Sequence, residues 1–316
     1  MTSPSRVLIT CPPALATAQT YVERLGAHGI DVVLADVVQQ LSEAELIGLL
    51  GDIDAIVAGD DPLTERVMRA APRLRVIARW GVGIDNVDLN AAETLGIRVV
   101  NTPAVFGDEV ADVAVGYVIL LARHLHRIDR AVRDGGWAKP QGHSLAGRVM
   151  GIIGIGSLGR SLARRAEAMR MPVLGYDVAP GASEIAANEG VVIVQPERLL
   201  AESDVVVLCC PLTPATRHMI DREAFRQMRP GAWLVNVSRG PLVHEAALVE
   251  ALHSGRLGGA ALDVFEIEPL PPSSDLRGFD QVILGSHNAS NTTEAVARVN
   301  DLVIDHVLRG LAEVER

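Results

Sequence analysis

Short apolar runs rich in valine, isoleucine and alanine alternate with longer amphipathic segments along the chain. Residues 6–10, 31–35, 55–58 and 75–78 predict strands, whereas residues 14–25, 41–50, 64–70 and 89–95 repeat their apolar positions with the period of a helix. Unbroken apolar strands separated by helices predict a parallel sheet buried on both faces. A second series follows, with strands at 149–154, 173–177, 191–194, 205–209, 233–237, 260–264 and 282–284, a helix at 159–169 and a terminal helix at 292–311. Between the two series, residues 110–130 predict one long helix, apolar around most of its circumference, which the rest of the chain or a second subunit must cover. Residues 134–147, with their glycines, tryptophan and proline, read as a loop.

At 316 residues the chain is about twice a usual domain, which predicts two domains. A net charge of -10 and the lack of a Lys/Arg cluster exclude binding to a phosphate backbone, so nucleic acid is not an expected partner. A small anionic substrate must then be held by a few well-placed arginines. No long uncharged apolar stretch predicts a membrane span, the N-terminus lacks a signal-peptide core, and a cytoplasmic protein is expected. Cys11, Cys209 and Cys210 have no metal-ligand spacing, and His124 and His126 fall on different faces of the expected helix, so no metal site is expected.

The segment VMGIIGIGSLGRSLARRAEAMR places Gly154, Gly156 and Gly159, with Ser157 and Leu158 between them, after an apolar strand and before a helix. Gly154 suits a tight turn, Gly156 close approach to a pyrophosphate and Gly159 close helix packing, while the helix N-terminus offers N–H donors to the anion. Asp177 ends the next strand, where a carboxylate accepts hydrogen bonds from ribose hydroxyls and repels a 2′-phosphate. Residues 178–197 contain no Lys or Arg to reverse that preference, so the expected cofactor is NAD.

Downstream, LCCPLTPATRHMI, LVNVSRGPLV, GAALDVFEIEPL and GSHNASNT occur in that order, and RWGVGIDNVDLNAA and VVNTP precede the glycine turn. Over roughly residues 75 to 300 these motifs resemble the D-isomer-specific 2-hydroxyacid dehydrogenases. That family includes phosphoglycerate, glycerate, glyoxylate and hydroxypyruvate enzymes, with formate and phosphite dehydrogenases as relatives. The resemblance implies an α/β protein of two doubly wound parallel-sheet domains, a Rossmann NAD-binding domain (residues 101–287) inserted into a flavodoxin-like substrate domain (residues 1–100 and 288–316). It also implies a homodimer joined through the nucleotide-binding domain.

Reversible oxidation of a 2-hydroxy acid needs a group that exchanges a proton near neutrality, and histidine has that character. The resemblance assigns this role to His287, pairs it with Glu268 so that its protonated form is favoured, and gives Arg239 the substrate carboxylate. Arg239 follows the strand at 233–237, at the edge where ligands bind in open α/β sheets, and its planar fork matches a carboxylate. By the same resemblance Val82 and Gly83 offer backbone N–H groups to that carboxylate, Val237 and Asp263 meet the nicotinamide amide, and Cys210 and Pro211 line the adenine pocket. Arg79 matches a position that reaches a substrate phosphate, which points to a doubly anionic, 3-phosphoglycerate-like acid; a solvated arginine at a strand end is the alternative. Ser286, Asn288 and His244 depart from the family pattern, and Trp80 is bulky for a substrate loop, leaving the acid unnamed. A phosphite dehydrogenase-like enzyme and an NADH-sensing corepressor-like binding protein are the competing readings.

Overall fold

A computed structural model describes residues 4–314, which form two compact units: residues up to Val105 together with those from Asn291 onward, and Phe106–Ser290. In the first unit, β1 (Arg6–Ile9), β2 (Asp31–Leu34), β3 (Ala55–Ala58), β4 (Val76–Arg79) and β5 (Arg98–Val100) pair in the order β2-β1-β3-β4-β5, all parallel. This is the flavodoxin-like order. All four residues of β3 and of β4 are buried, as their unbroken apolar runs require. Local chemistry starts the helices. Ser42 and Glu45 form a reciprocal capping box on Glu43–Leu49, and Asp88 caps Leu89–Thr94 through the Ala91 N–H at 3.0 Å.

The terminal helix Thr293–Val314 returns to this first sheet. A Cβ at Gly310 would come within 2.6 Å of Val76, so the helix lies directly on β4 and only a glycine fits there.

The second unit contains β6 (Met150–Ile153), β7 (Val173–Tyr176), β8 (Val191–Ile193), β9 (Val205–Leu208), β10 (Ala232–Asn236), β11 (Leu257–Leu262) and β12 (Val282–Leu284). They form a seven-stranded parallel sheet in the order β12-β11-β10-β9-β6-β7-β8. The order reverses between β6 and β9, which makes the carboxyl ends of those strands the expected dinucleotide crevice.

Three local expectations need correction. The long helix is two, Gly107–Arg123 and Leu125–Arg133, because His124 between them has φ of 54° in the left-handed region. His124 and His126 therefore do not share a continuous helix. The stretch at 14–25 also divides, into Pro12–Leu15 and Ala18–Gly26, where Thr17 turns and its hydroxyl donates to the Pro13 carbonyl at 3.0 Å. Finally, β5 is an additional edge strand.

Candidate active site

The glycine turn opens directly from β6. Gly154 has φ of 98°, and a Cβ there would lie 2.6 Å from the Cys210 N, so the turn rests on the end of β9 and admits no side chain. A Cβ at Gly159 would lie 2.0 Å from the Gly154 carbonyl oxygen, whereas one at Gly156 would meet nothing within 4 Å. The chain is thus closed where helix and turn pack and open where an anion would approach. Gly156 precedes the helix Ser157–Ala168, whose first turn receives no side-chain cap, leaving its N–H groups to a ligand. Both oxygens of Asp177 are oriented by backbone: one accepts the Ile155 N–H at 2.6 Å, the other the Ala179 N–H at 2.8 Å. Cys210 is buried and Pro211 exposed. Burial, reinforced by the Asp177 charge, pushes the Cys210 thiol up to about 11, which excludes it as a neutral-pH nucleophile.

Arg239, Glu268 and His287 follow β10, β11 and β12, three neighbouring parallel strands, and so share the carboxyl edge of one sheet. His287 adopts φ of 54°. Its Nδ1 lies 2.7 Å from Glu268 Oε2, and the other carboxylate oxygen of Glu268 accepts the Phe265 N–H at 2.9 Å. Because a carboxylate only accepts, Nδ1 carries the hydrogen in this pair. The backbone of Arg239 is fixed by Asn236, whose side-chain amide donates to the Arg239 carbonyl at 2.8 Å and accepts the Ser238 N–H at 3.1 Å. Next to it, a Cβ at Gly240 would lie 1.8 Å from the Phe265 carbonyl oxygen. The loop bearing Arg239 is therefore seated against the same peptide segment that orients Glu268.

Asp263 is buried and ties this corner together. Its carbonyl accepts the His287 N–H at 2.7 Å, one carboxylate oxygen accepts the Ala289 N–H at 2.9 Å and the other the Tyr117 hydroxyl at 3.2 Å. Burial and the Asp263 charge push the Tyr117 phenol well above its ordinary range, keeping it a donor. Val237, after β10, is also buried. Tyr117, Asn236, Gly240 and Gly285 were not singled out by motif. The two glycines at strand ends were the available signal, since a Cβ at Gly285 would come within 2.3 Å of Asp263 Oδ1.

In the first unit, Gly81 has φ of 144°, and its N–H donates to Thr102 Oγ1 at 3.1 Å. Among the described residues, neither the Val82 nor the Gly83 N–H has a hydrogen-bond partner. Trp80 does not crowd this loop: it is 4% exposed and its indole N–H donates to Asn300 on the terminal helix at 2.8 Å. Arg79 is not solvated either. It is 5% exposed, pairing through Nη2 with Asp60 at 2.5 Å and through Nη1 with the Trp80 carbonyl at 2.5 Å.

A parallel sheet with a glycine turn at its switch point and an acid ending the next strand, with an Arg, Glu and His along one sheet edge, is the architecture of an NAD-binding oxidoreductase. The family profile described as "D-isomer specific 2-hydroxyacid dehydrogenase, NAD binding domain" matches residues 115–289. A glyoxylate reductase of Korarchaeum cryptofilum is 40% identical over 274 residues, covering 84% of this chain and 82% of that protein. A D-3-phosphoglycerate dehydrogenase of Synechocystis sp. is 38% identical over 305 residues, 91% of this chain but 54% of that protein. Among solved structures, D-lactate dehydrogenase from Aquifex aeolicus, complexed with NAD and lactic acid, matches with a TM-score of 0.86 and 28% identity over 98% of this chain and 96% of that one. The chain belongs to the D-isomer specific 2-hydroxyacid dehydrogenases, NAD-dependent oxidoreductases acting on CH–OH donors.

Proposed function

We propose that the protein interconverts a small 2-hydroxy acid and the corresponding 2-keto acid, with His287 exchanging the hydroxyl proton through Nε2. The 2.7 Å pairing of its Nδ1 with Glu268, on the sheet edge that also bears Arg239, is the observation that carries this reading. Glu268 fixes the imidazole tautomer and balances the positive charge when Nε2 is protonated. Arg239 grips the substrate carboxylate, orienting C2 and polarising its oxygen, and the Val82 and Gly83 N–H groups are assigned to the same carboxylate. Gly154, Gly156, Ser157, Leu158, Gly159 and Asp177 would hold NAD, with Cys210 and Pro211 on its adenine side and Val237 and Asp263 on its nicotinamide side. When bound, NAD accepts hydride from C2, and NADH returns it. In oxidation the hydroxyl proton passes to His287 as hydride leaves C2; reduction is the reverse.

The names of relatives, glyoxylate reductase among them, support a 2-keto acid as substrate. The protein is further assigned to the cytoplasm, and as a homodimer because Val113, Val115, Ile119 and Leu120 of the helix Gly107–Arg123 stay partly exposed and Trp137, in the following loop, is 78% exposed. Light scattering of the purified protein should give twice the chain mass.

The test of function is spectrophotometric oxidation of NADH with glyoxylate, hydroxypyruvate, pyruvate and 3-phosphohydroxypyruvate, and reduction of NAD with phosphite. Turnover of at least one keto acid, lost on His287→Ala, is expected. NADH binding without turnover would place the protein among sensors, and turnover of phosphite alone would reassign the substrate.

A further inference from the structure

Tyr117 lies on the face of the helix Gly107–Arg123 that packs on β11. Leu121, one turn further along the same face, sits so close to that strand that a Cβ at Gly259 would lie 3.2 Å from its Cδ2. The helix thereby brings the Tyr117 hydroxyl to the residue that ends β11, where it donates to Asp263 Oδ1 at 3.2 Å. Gly285, after β12, makes this meeting possible, since a Cβ there would lie 2.3 Å from Asp263 Oδ1 and 2.4 Å from the Tyr117 hydroxyl oxygen. Asp263 Oδ2 is held separately, by the Ala289 N–H at 2.9 Å. Asp263 is 2% exposed, and a carboxylate offers about four acceptor sites. One donor on each oxygen therefore aims this buried carboxylate without saturating it.

We propose that Tyr117 is a positioning residue for the cofactor: it fixes the direction of the Asp263 carboxylate, so that the acceptor sites left on Asp263 receive the carboxamide NH2 of the nicotinamide. This rests on the functional reading above, which puts Asp263 on the nicotinamide side. The last torsion of an aspartate is soft, so a carboxylate held at one oxygen only is free to turn about that bond. With the hydroxyl in place the acceptor is aimed before the cofactor arrives, and binding does not have to order it. The benefit is confined to ligands that carry the NH2 group, because a ring substituent without an N–H has nothing to donate to Asp263.

The test is calorimetric titration of the full chain, wild type and Tyr117→Phe, with NADH and with reduced 3-acetylpyridine adenine dinucleotide, in which a methyl group replaces the amide nitrogen. The wild type should bind NADH more tightly than the analogue by at least about threefold, within the worth of a single hydrogen bond. Tyr117→Phe should weaken NADH by about threefold or more and leave the Kd of the analogue unchanged, so that the preference narrows by the same factor. A merely structural role would weaken both ligands alike and leave their ratio where it was. An unchanged ratio in a folded Tyr117→Phe protein, or tighter binding of NADH by it, overturns the proposal and leaves the function intact. If Tyr117→Phe does not fold, Tyr117→Leu, likewise without a donor, is read in the same way. Equal affinities of the wild type for the two ligands would remove Asp263 from the nicotinamide side and this inference with it, while proton exchange at His287 would stand. Failure of the wild type to bind NADH at all overturns the functional reading itself.

Discussion

His287 holds a left-handed backbone, φ 54°, which costs a non-glycine residue about 1–3 kcal/mol and persists only where its surroundings over-determine it. Those surroundings are the Asp263 carbonyl and the Glu268 carboxylate. His287→Ala should therefore lower kcat about 10²–10⁴-fold in both directions, the usual contribution of a positioned acid or base. Glu268→Gln keeps a hydrogen-bond acceptor for Nδ1 but removes the charge that stabilises the imidazolium, so keto-acid reduction, which starts from that cation, should fall further than oxidation. Steady-state rates measured in both directions separate the two variants. Cys210 gives a pH-dependent check: with its thiol held at about 11 it stays neutral at pH 8, and alkylation by iodoacetamide should be slow there and accelerate as pH rises toward that value. Fast alkylation at pH 8 would contradict its burial. Arg239, Glu268 and His287 were legible because each lies in a motif that resembles a known family, in the segment after a strand. Tyr117 escaped notice because its partner Asp263 lies 146 residues away, and the Arg79–Asp60 pair because a sequence does not state which charges are already neutralised.

At the scale of elements, the loops after β10 and β11 behave as one part, because Gly240 leaves no room for even a methyl group against the Phe265 peptide. Gly240→Ala should cost about 1–3 kcal/mol or more, as overpacking does, and should depress kcat/KM beyond the loss of folded protein because it shifts Arg239 against Glu268. Calorimetry alongside kinetics checks both. Asp177 ends β7 with both oxygens already directed by backbone N–H groups, so Asp177→Ala should raise the KM for NADH and narrow the preference over NADPH. Most strands were readable from sequence because burial on both faces writes itself as an unbroken apolar run. The exceptions share a cause. β5 is a short, partly exposed edge strand, and the helix break at His124 carries neither glycine nor proline, so nothing local marks it.

At the scale of the molecule, the nucleotide unit is one continuous stretch, Phe106–Ser290, whereas the other unit needs both ends of the chain. The isolated stretch 106–290 should fold and bind NADH, gaining about 2.7 kcal/mol of stability at one hundred times its Kd, yet turn over no keto acid. A fragment that melts at the same temperature with and without NADH would refute this. The seating of Gly310 on Val76 has a consequence for biosynthesis. The opening strands emerge from the ribosome long before the helix that covers them, so they wait with one side bare while the middle of the polypeptide matures. A premature stop codon near residue 290 would then release a product able to sequester dinucleotide while its leading segment invites chaperones and proteases.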